Sequence, residues 1–444
     1  MTISARLQPF VTAIAISDRF VPLCFLSFVL VRLLLILLVP VEPYSDGLWY
    51  YTRAIGIAEH WRYEENGIPT AYWPVGYPGF LGLLFAVTGP SILAAQLANL
   101  AFATLSCWLV YRISQQLFAD ELAARLAILI LAIYPNHVAY TALIASEPLY
   151  TVLLLLFSYW LIRSRARSPV LGIGLAIGLG TLVKSQTALL AAVLVLLAIV
   201  LTPKWHERRQ VLAKSVLMGL VALAVVLPWT VRNYMVLGAP VFVSTNGGMS
   251  LLAGNNPSMV GLWHRDYAMD APLLAEAEFS VVNQVAADRR ARALALQWIR
   301  DNPRDFISIM PQKLWRLWAP DGEAEWSYDE TTPWYDEYRH YFRTVRYANQ
   351  ALYVAVLALA GLALIRLIRR RANGWSFYGY VVAAFFTALS LVFSGQSRYH
   401  YPVMPFMIMY AGWYLASSLT VGPNPQQQRM TSEPTRSQVR APGP

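Results

Sequence analysis

The stretch Val170–Leu201, VLGIGLAIGLGTLVKSQTALLAAVLVLLAIVL, decides the fold. It is apolar throughout and too long for one membrane crossing, which takes about 20 residues. Its single charge, Lys184, falls near the middle. We read it as two short helices that meet at that lysine. Similar runs lie on both sides. The first is Phe20–Val41, and others follow at roughly 90–111, 122–140, 142–162, 211–230, 347–365, 375–393 and 399–420. Phe20–Val41 is too long for a signal-peptide core and no small-x-small cleavage site follows it, so it counts as a span. These runs amount to ten crossings with both termini on one side.

Composition agrees. Of 444 residues, 57% are apolar and 14% charged, against about 25% charged in soluble domains. Mean hydropathy is +0.44. Soluble, disordered and fibrous classes are excluded, as is a disulfide scaffold. Cys24 and Cys107 both sit in apolar runs and read as buried thiols.

Charge tests the topology. The connections at 163–167 (Arg163, Arg165, Arg167), 204–214 (Lys204, Arg208, Arg209, Lys214) and 366–371 (Arg366, Arg369, Arg370, Arg371) are basic, with Glu207 their only acid. The positive-inside rule makes them cytoplasmic. The loop 42–76 is opposite in character, with Glu42, Asp46, Glu59, Glu64 and Glu65 against Arg53 and Arg62. Ten crossings put the two groups on opposite sides throughout. The net charge of +10 then meets anionic lipid heads, and nucleic acid is not expected as a partner.

The expected architecture is an all-α polytopic membrane protein. A transmembrane module (1–230) carries the external loop 42–76. An extracytoplasmic, mainly helical domain (231–346) follows, then the last transmembrane helices (347–420) and a disordered cytoplasmic tail (421–444) rich in Pro, Gln and Ser. Within 42–76, GLWYYTRAIGIAEHW (47–61) reads as an interfacial amphipathic helix. LGLLFAVTG (81–89) reads as a re-entrant or interfacial piece too short to span. In the external domain a helical pattern lies near 276–300. Internal repeats and Gly-rich phosphate loops are absent.

Several residues are candidates for chemistry. Asp46, in EPYSDG just after the first span, is a carboxylate at the membrane surface suited to general-base work, or an ordinary loop acid. Glu147, in TALIASEPLYT, either faces protein or water for function or is a helix N-terminal acid. Lys184 is a cation at membrane depth, with an anion as the expected partner and a snorkelling lysine as the plain alternative. Arg398, in GQSRYHYP, opens the last span on the same side as Asp46. Arg32 lies within the first span and needs a partner, for which Glu147 is a candidate. The histidines His60, His137, His206, His264, His340 and His400 form no HExxH-like pair. No cofactor is firmly implied; a divalent cation held by Asp46 or Glu147 with a histidine stays open.

The order of these landmarks is similar to that of a known superfamily. A first span, an acidic loop with Asp46, WPVGYPGFLGLLF, ASEPLYT, LPWTVRNYMVLGAP with STNGGMSLLAGNNP, and SRYHYPVMPF together resemble bacterial GT-C glycosyltransferases. The nearest branch is that of protein O-mannosyltransferases, the lipid A aminoarabinose transferase and lipopolysaccharide-core galacturonosyltransferases. The resemblance implies a GT-C-like bundle and a polyprenyl-phosphate-linked sugar donor. It also implies transfer to a lipid, glycan or protein acceptor on the extracytoplasmic face of a bacterial inner membrane, with inversion. By it, Asp46 matches the catalytic base and Glu147 the second external acid. Lys184 and Arg398 would bind the donor phosphate, with Arg232, Tyr399 and His400 behind them. Relatives often carry paired acids where this chain has Asp46-Gly47. The rival readings are a ligase or polymerase using a diphosphate donor, a lipid-sugar flippase, and a non-catalytic scaffold.

Overall fold

The computed structural model describes Ile14 and residues 17–163, 169–260 and 275–419. Arg165, Arg167, His264 and the tail 421–444 lie outside the described residues. The chain is a helical, multi-pass membrane protein. Among the described residues, five helical stretches are long and apolar enough to cross a bilayer. They are α1 (Phe20–Leu38), α4 (Ile92–Phe118), α10 (Trp205–Leu237), α16 (Tyr335–Arg369), and α17 (Tyr378–Val392) with the 3-10 turn before it. The other expected crossings correspond to shorter helices.

Lys184 breaks its segment as expected, into α8 (Val170–Val183) and α9 (Thr187–Leu201). Lys184 is extended, and its carbonyl accepts from Thr187 N (3.0 Å) and Thr187 Oγ (2.7 Å). The hydroxyl thus supplies a turn that competes with helix continuation. Gly174 and Gly178 let α8 lie close to α10, since a Cβ there would come within 2.6 and 2.7 Å of Val221 and Val225. Such small-residue seams are how helices approach in lipid.

The expected span 122–140 is instead α5 (Glu121–Ala132) and the short α6 (Pro135–Ala139). Tyr134 precedes a proline and takes an extended ψ, the usual restriction at that position. The break exposes carbonyls at membrane depth, and Arg32 is what satisfies them. Fully buried on α1, it donates to Leu131 O (3.2 Å) and Ala132 O (3.4 Å), and stacks on Phe28. Its partner is therefore a helix C-terminus, not Glu147.

The loop after α1 forms α2 (Asp46–His60), a small hairpin of β1 (Glu64–Glu65) and β2 (Ile68–Pro69), and α3 (Gly76–Thr88). With 13 residues, α3 is about 20 Å long and too short to span. It packs against α2, α4 and α8. Next, α7 (Glu147–Arg163) is buried along most of its length beside α4 and α8. So is α18 (Met404–Leu419), which packs between α5 and α16.

Between α10 and α16 the chain builds a helical cap. Its helices are α11 (Gly247–Gly254), α12 (Gln284–Asp301), α13 (Pro303–Ser308), α14 (Met310–Trp318) and α15 (Ala324–Thr331). The helix expected near 276–300 is α12. Cap helix α14 packs on α17 and on the 3-10 turn Ser397–Tyr399, and α15 packs on α6 and α16.

Candidate active site

The structure brings Asp46, Glu147, Lys184 and Arg398 together. Asp46 is the first residue of α2. Gly47 beside it is required by packing, because a Cβ there would stand 2.6 Å from Ile144 O. The absence of a second acid at that position thus has a steric cause. The loop carrying Ile144 is held from α4, where Gln96 Nε2 donates to Ala142 O (2.9 Å) and Asn99 Nδ2 to Leu143 O (2.6 Å). That anchoring delivers Glu147 to the start of α7.

Two ion pairs result. Arg398 Nη1 donates to Asp46 Oδ2 at 2.7 Å, and Lys184 Nζ to Glu147 Oε1 at 3.1 Å. Arg398 Nε is held by Gln396 Oε1 (2.8 Å), while its Nη2 has no hydrogen bond among the described residues. A cavity of about 70 Å³ opens beside the pairs. It is lined by Asp46, Glu147, Arg398, the aromatic rings of Tyr44, Tyr50, Tyr140 and Trp326, and Glu323. Trp326 of α15 meets Tyr44 edge-on at 5.0 Å, so the cap closes over the first loop.

Glu323 escaped the sequence reading. It lies in an acidic run with Asp321, Glu325, Asp329 and Glu330, where nothing local singles it out. Its Oε2 accepts from Ser397 Oγ (2.5 Å) and Arg398 N (3.0 Å).

Three expected contributors lie elsewhere. His400 is fully buried and faces Leu317 O (2.5 Å) and Asp321 Oδ1 (3.0 Å), not the cavity. Asp321 also accepts from Tyr134 OH (2.7 Å), Asn136 Nδ2 (2.6 Å) and Asn349 Nδ2 (3.0 Å). Burial alone would raise the Asp321 carboxyl, but hydrogen bonding, His400 foremost, brings it below the usual range. Arg232 spans Thr70 O and Tyr63 O, both at 2.7 Å, and so holds the hairpin loop. Tyr399 lies beside the Arg398 guanidinium, 5.6 Å from ring centre to carbon, without lining the cavity. Tyr399 and His400 follow Arg398 on a tight turn, where neighbours point in different directions, whereas Arg232 sits on α10. As for metal ligation, no group of three or more His, Cys, Asp or Glu among the described residues is placed to hold an ion.

Comparison with known proteins adds the lineage. A family model described as dolichyl-phosphate-mannose-protein mannosyltransferase matches residues 73–231. The solved oligosaccharyltransferase of Archaeoglobus fulgidus superposes over 89% of this chain and 49% of its own, with TM-score 0.54 and 14% identity. Its complex with an inhibitory peptide and a dolichol-phosphate covers 96% of this chain at TM-score 0.53. Residues 73–231 are thus similar to that mannosyltransferase family, and the likeness to the oligosaccharyltransferase is one of fold. An undecaprenyl phosphate-α-4-amino-4-deoxy-L-arabinose arabinosyl transferase of Pseudomonas paraeruginosa is 30% identical over 191 residues. That match takes in 41% of this chain and 32% of the relative, so the chain spans about a third of the curated relative's length. The family-model match includes Glu147 and Lys184. Asp46, Glu323 and Arg398 lie outside it.

Proposed function

We propose that this protein is a GT-C glycosyltransferase that moves a sugar from a polyprenyl-phosphate donor to an acceptor hydroxyl on the extracytoplasmic face. The observation that supports this most is the double pairing of Asp46 with Arg398 and Glu147 with Lys184, three of whose four members line one cavity. Each pair joins a carboxylate suited to proton transfer with a cation suited to phosphate. The Pseudomonas relative, named for an undecaprenyl-phosphate-linked sugar, supports the same donor class.

In this reading the donor phosphate enters beside Arg398 and Lys184 and takes over part of the charge now met by the two acids. Asp46 is then free to accept the acceptor's proton. The acceptor oxygen attacks the anomeric carbon from the side opposite the phosphate. The C–O bond to phosphate breaks, and polyprenyl phosphate leaves with the electron pair. One displacement inverts the anomeric centre. A positioned base is worth about 10²–10⁴-fold, and the two cations offset the charge that develops on the leaving group.

The test uses the full chain in nanodiscs with a panel of polyprenyl-phosphate sugars and envelope acceptors, read as release of free polyprenyl phosphate. Release by the wild type and not by Asp46→Asn is expected. Equal release by the variant removes Asp46 from the base role. Release from diphosphate donors alone replaces this reading with a ligase.

A further inference from the structure

The short segment Ser397–His400 is gripped at both ends by two residues of the cap that are separated only by a glycine. Asp321 holds His400 Nε2 at 3.0 Å, and Glu323 holds Ser397 Oγ at 2.5 Å and Arg398 N at 3.0 Å. Gly322 between them has φ +99, a conformation that side chains resist. It lets successive carboxylates face different parts of the segment. Asp321 is buried in its network with Tyr134, Asn136 and Asn349, and so ties the cap to the bundle. Glu323 stands at the cavity wall. Its bonds go to the turn that carries Arg398.

We propose that Glu323 is a positioning residue, which fixes the backbone of Arg398 so that its guanidinium reaches Asp46 and the donor phosphate together. The cap thereby sets the geometry of two ion pairs whose four members lie outside it. This rests on the reading of Arg398 as a phosphate-binding residue. Glu323 needs only its acceptor oxygen for this role. Gln supplies an equivalent oxygen, and Ala does not.

The experiment measures binding of polyprenyl phosphate to the full chain in nanodiscs, with thermal midpoints recorded alongside. Glu323→Ala is expected to weaken binding about tenfold, the effect of losing a bond from a carboxylate. Glu323→Gln should bind close to wild type. In an Arg398→Gln background, Glu323→Ala should add nothing, because the two act as one unit. Unchanged binding by Glu323→Ala overturns the inference. A loss in Glu323→Gln equal to that in Glu323→Ala also overturns it, since the charge itself would then be acting. Should Glu323→Ala fail to fold, Ser397→Ala decides: about a threefold loss that vanishes without Arg398 supports positioning, and no loss ends it. A wild type that binds no polyprenyl phosphate removes the functional reading and this inference together. Wild-type binding that ignores these substitutions removes this inference alone.

Discussion

The network around Asp321 and the cavity around Asp46 are built from the same kinds of group and stand at either end of one tight turn. In the network, one carboxylate accepts from His400, Tyr134, Asn136 and Asn349, and its surroundings are buried. In the cavity, the Asp46 carboxylate and the Arg398 guanidinium each keep part of their surface open, at 31% and 28%. Closed, fully bonded groups hold a structure together, whereas open ones with free donors and acceptors leave places for a substrate. On the proposed reading, the contrast assigns stability to one cluster and chemistry to the other.

Four substitutions break or sharpen that division. Asp46→Asn should lower transfer by about 10²–10⁴-fold while leaving the thermal midpoint near wild type. The same variant should bind polyprenyl phosphate more tightly, because Arg398 loses its internal competitor, and this gain should vanish in an Arg398→Gln background. Lys184→Ala should weaken donor binding about tenfold, with titration of polyprenyl phosphate as the readout. Tyr134→Phe belongs to the closed cluster. It should cost about 1–3 kcal/mol of stability and leave transfer at saturating donor unchanged; a fall in transfer would blur the division.

Lys313 extends the contrast to pH. It is buried in α14, donates to Asn255 Oδ1 (2.7 Å) and Leu391 O (3.1 Å), and has no carboxylate beside it among the described residues. Burial pulls its ammonium from 10.5 down to about 7. Between those values the unfolded chain holds a proton that the folded one lacks, so stability rises with pH, by up to about 1.4 kcal/mol per unit. Thermal unfolding between pH 7 and 10 should show that rise, and Lys313→Met should flatten it.

Much of the fold and of the site was legible because charges are expensive in an apolar sequence. Lys184 marked the break between α8 and α9, and Asp46, Glu147 and Arg398 stood out at the ends of apolar runs. Pro135 also carried the signal that ends α5 before it reaches the length of a span. Glu323 was hidden by its acidic neighbours, since only the fold decides which carboxylate of such a run faces the cavity. His400 misled because adjacency to Arg398 in sequence is not adjacency in direction. The partner of Arg32 could not be read at all: backbone carbonyls left open by a helix break are not written in side chains.

That arginine bears on how the protein is made. Besides Phe28 O on its own helix, the carbonyls it binds lie 99 and 100 residues further along the chain. When α1 enters the bilayer during synthesis, its cation therefore has only Phe28 beside it, against a burden of about 2.5–3.5 kcal/mol at mid-membrane. Only when α5 has been made are the carbonyls of Leu131 and Ala132 there for it to bind.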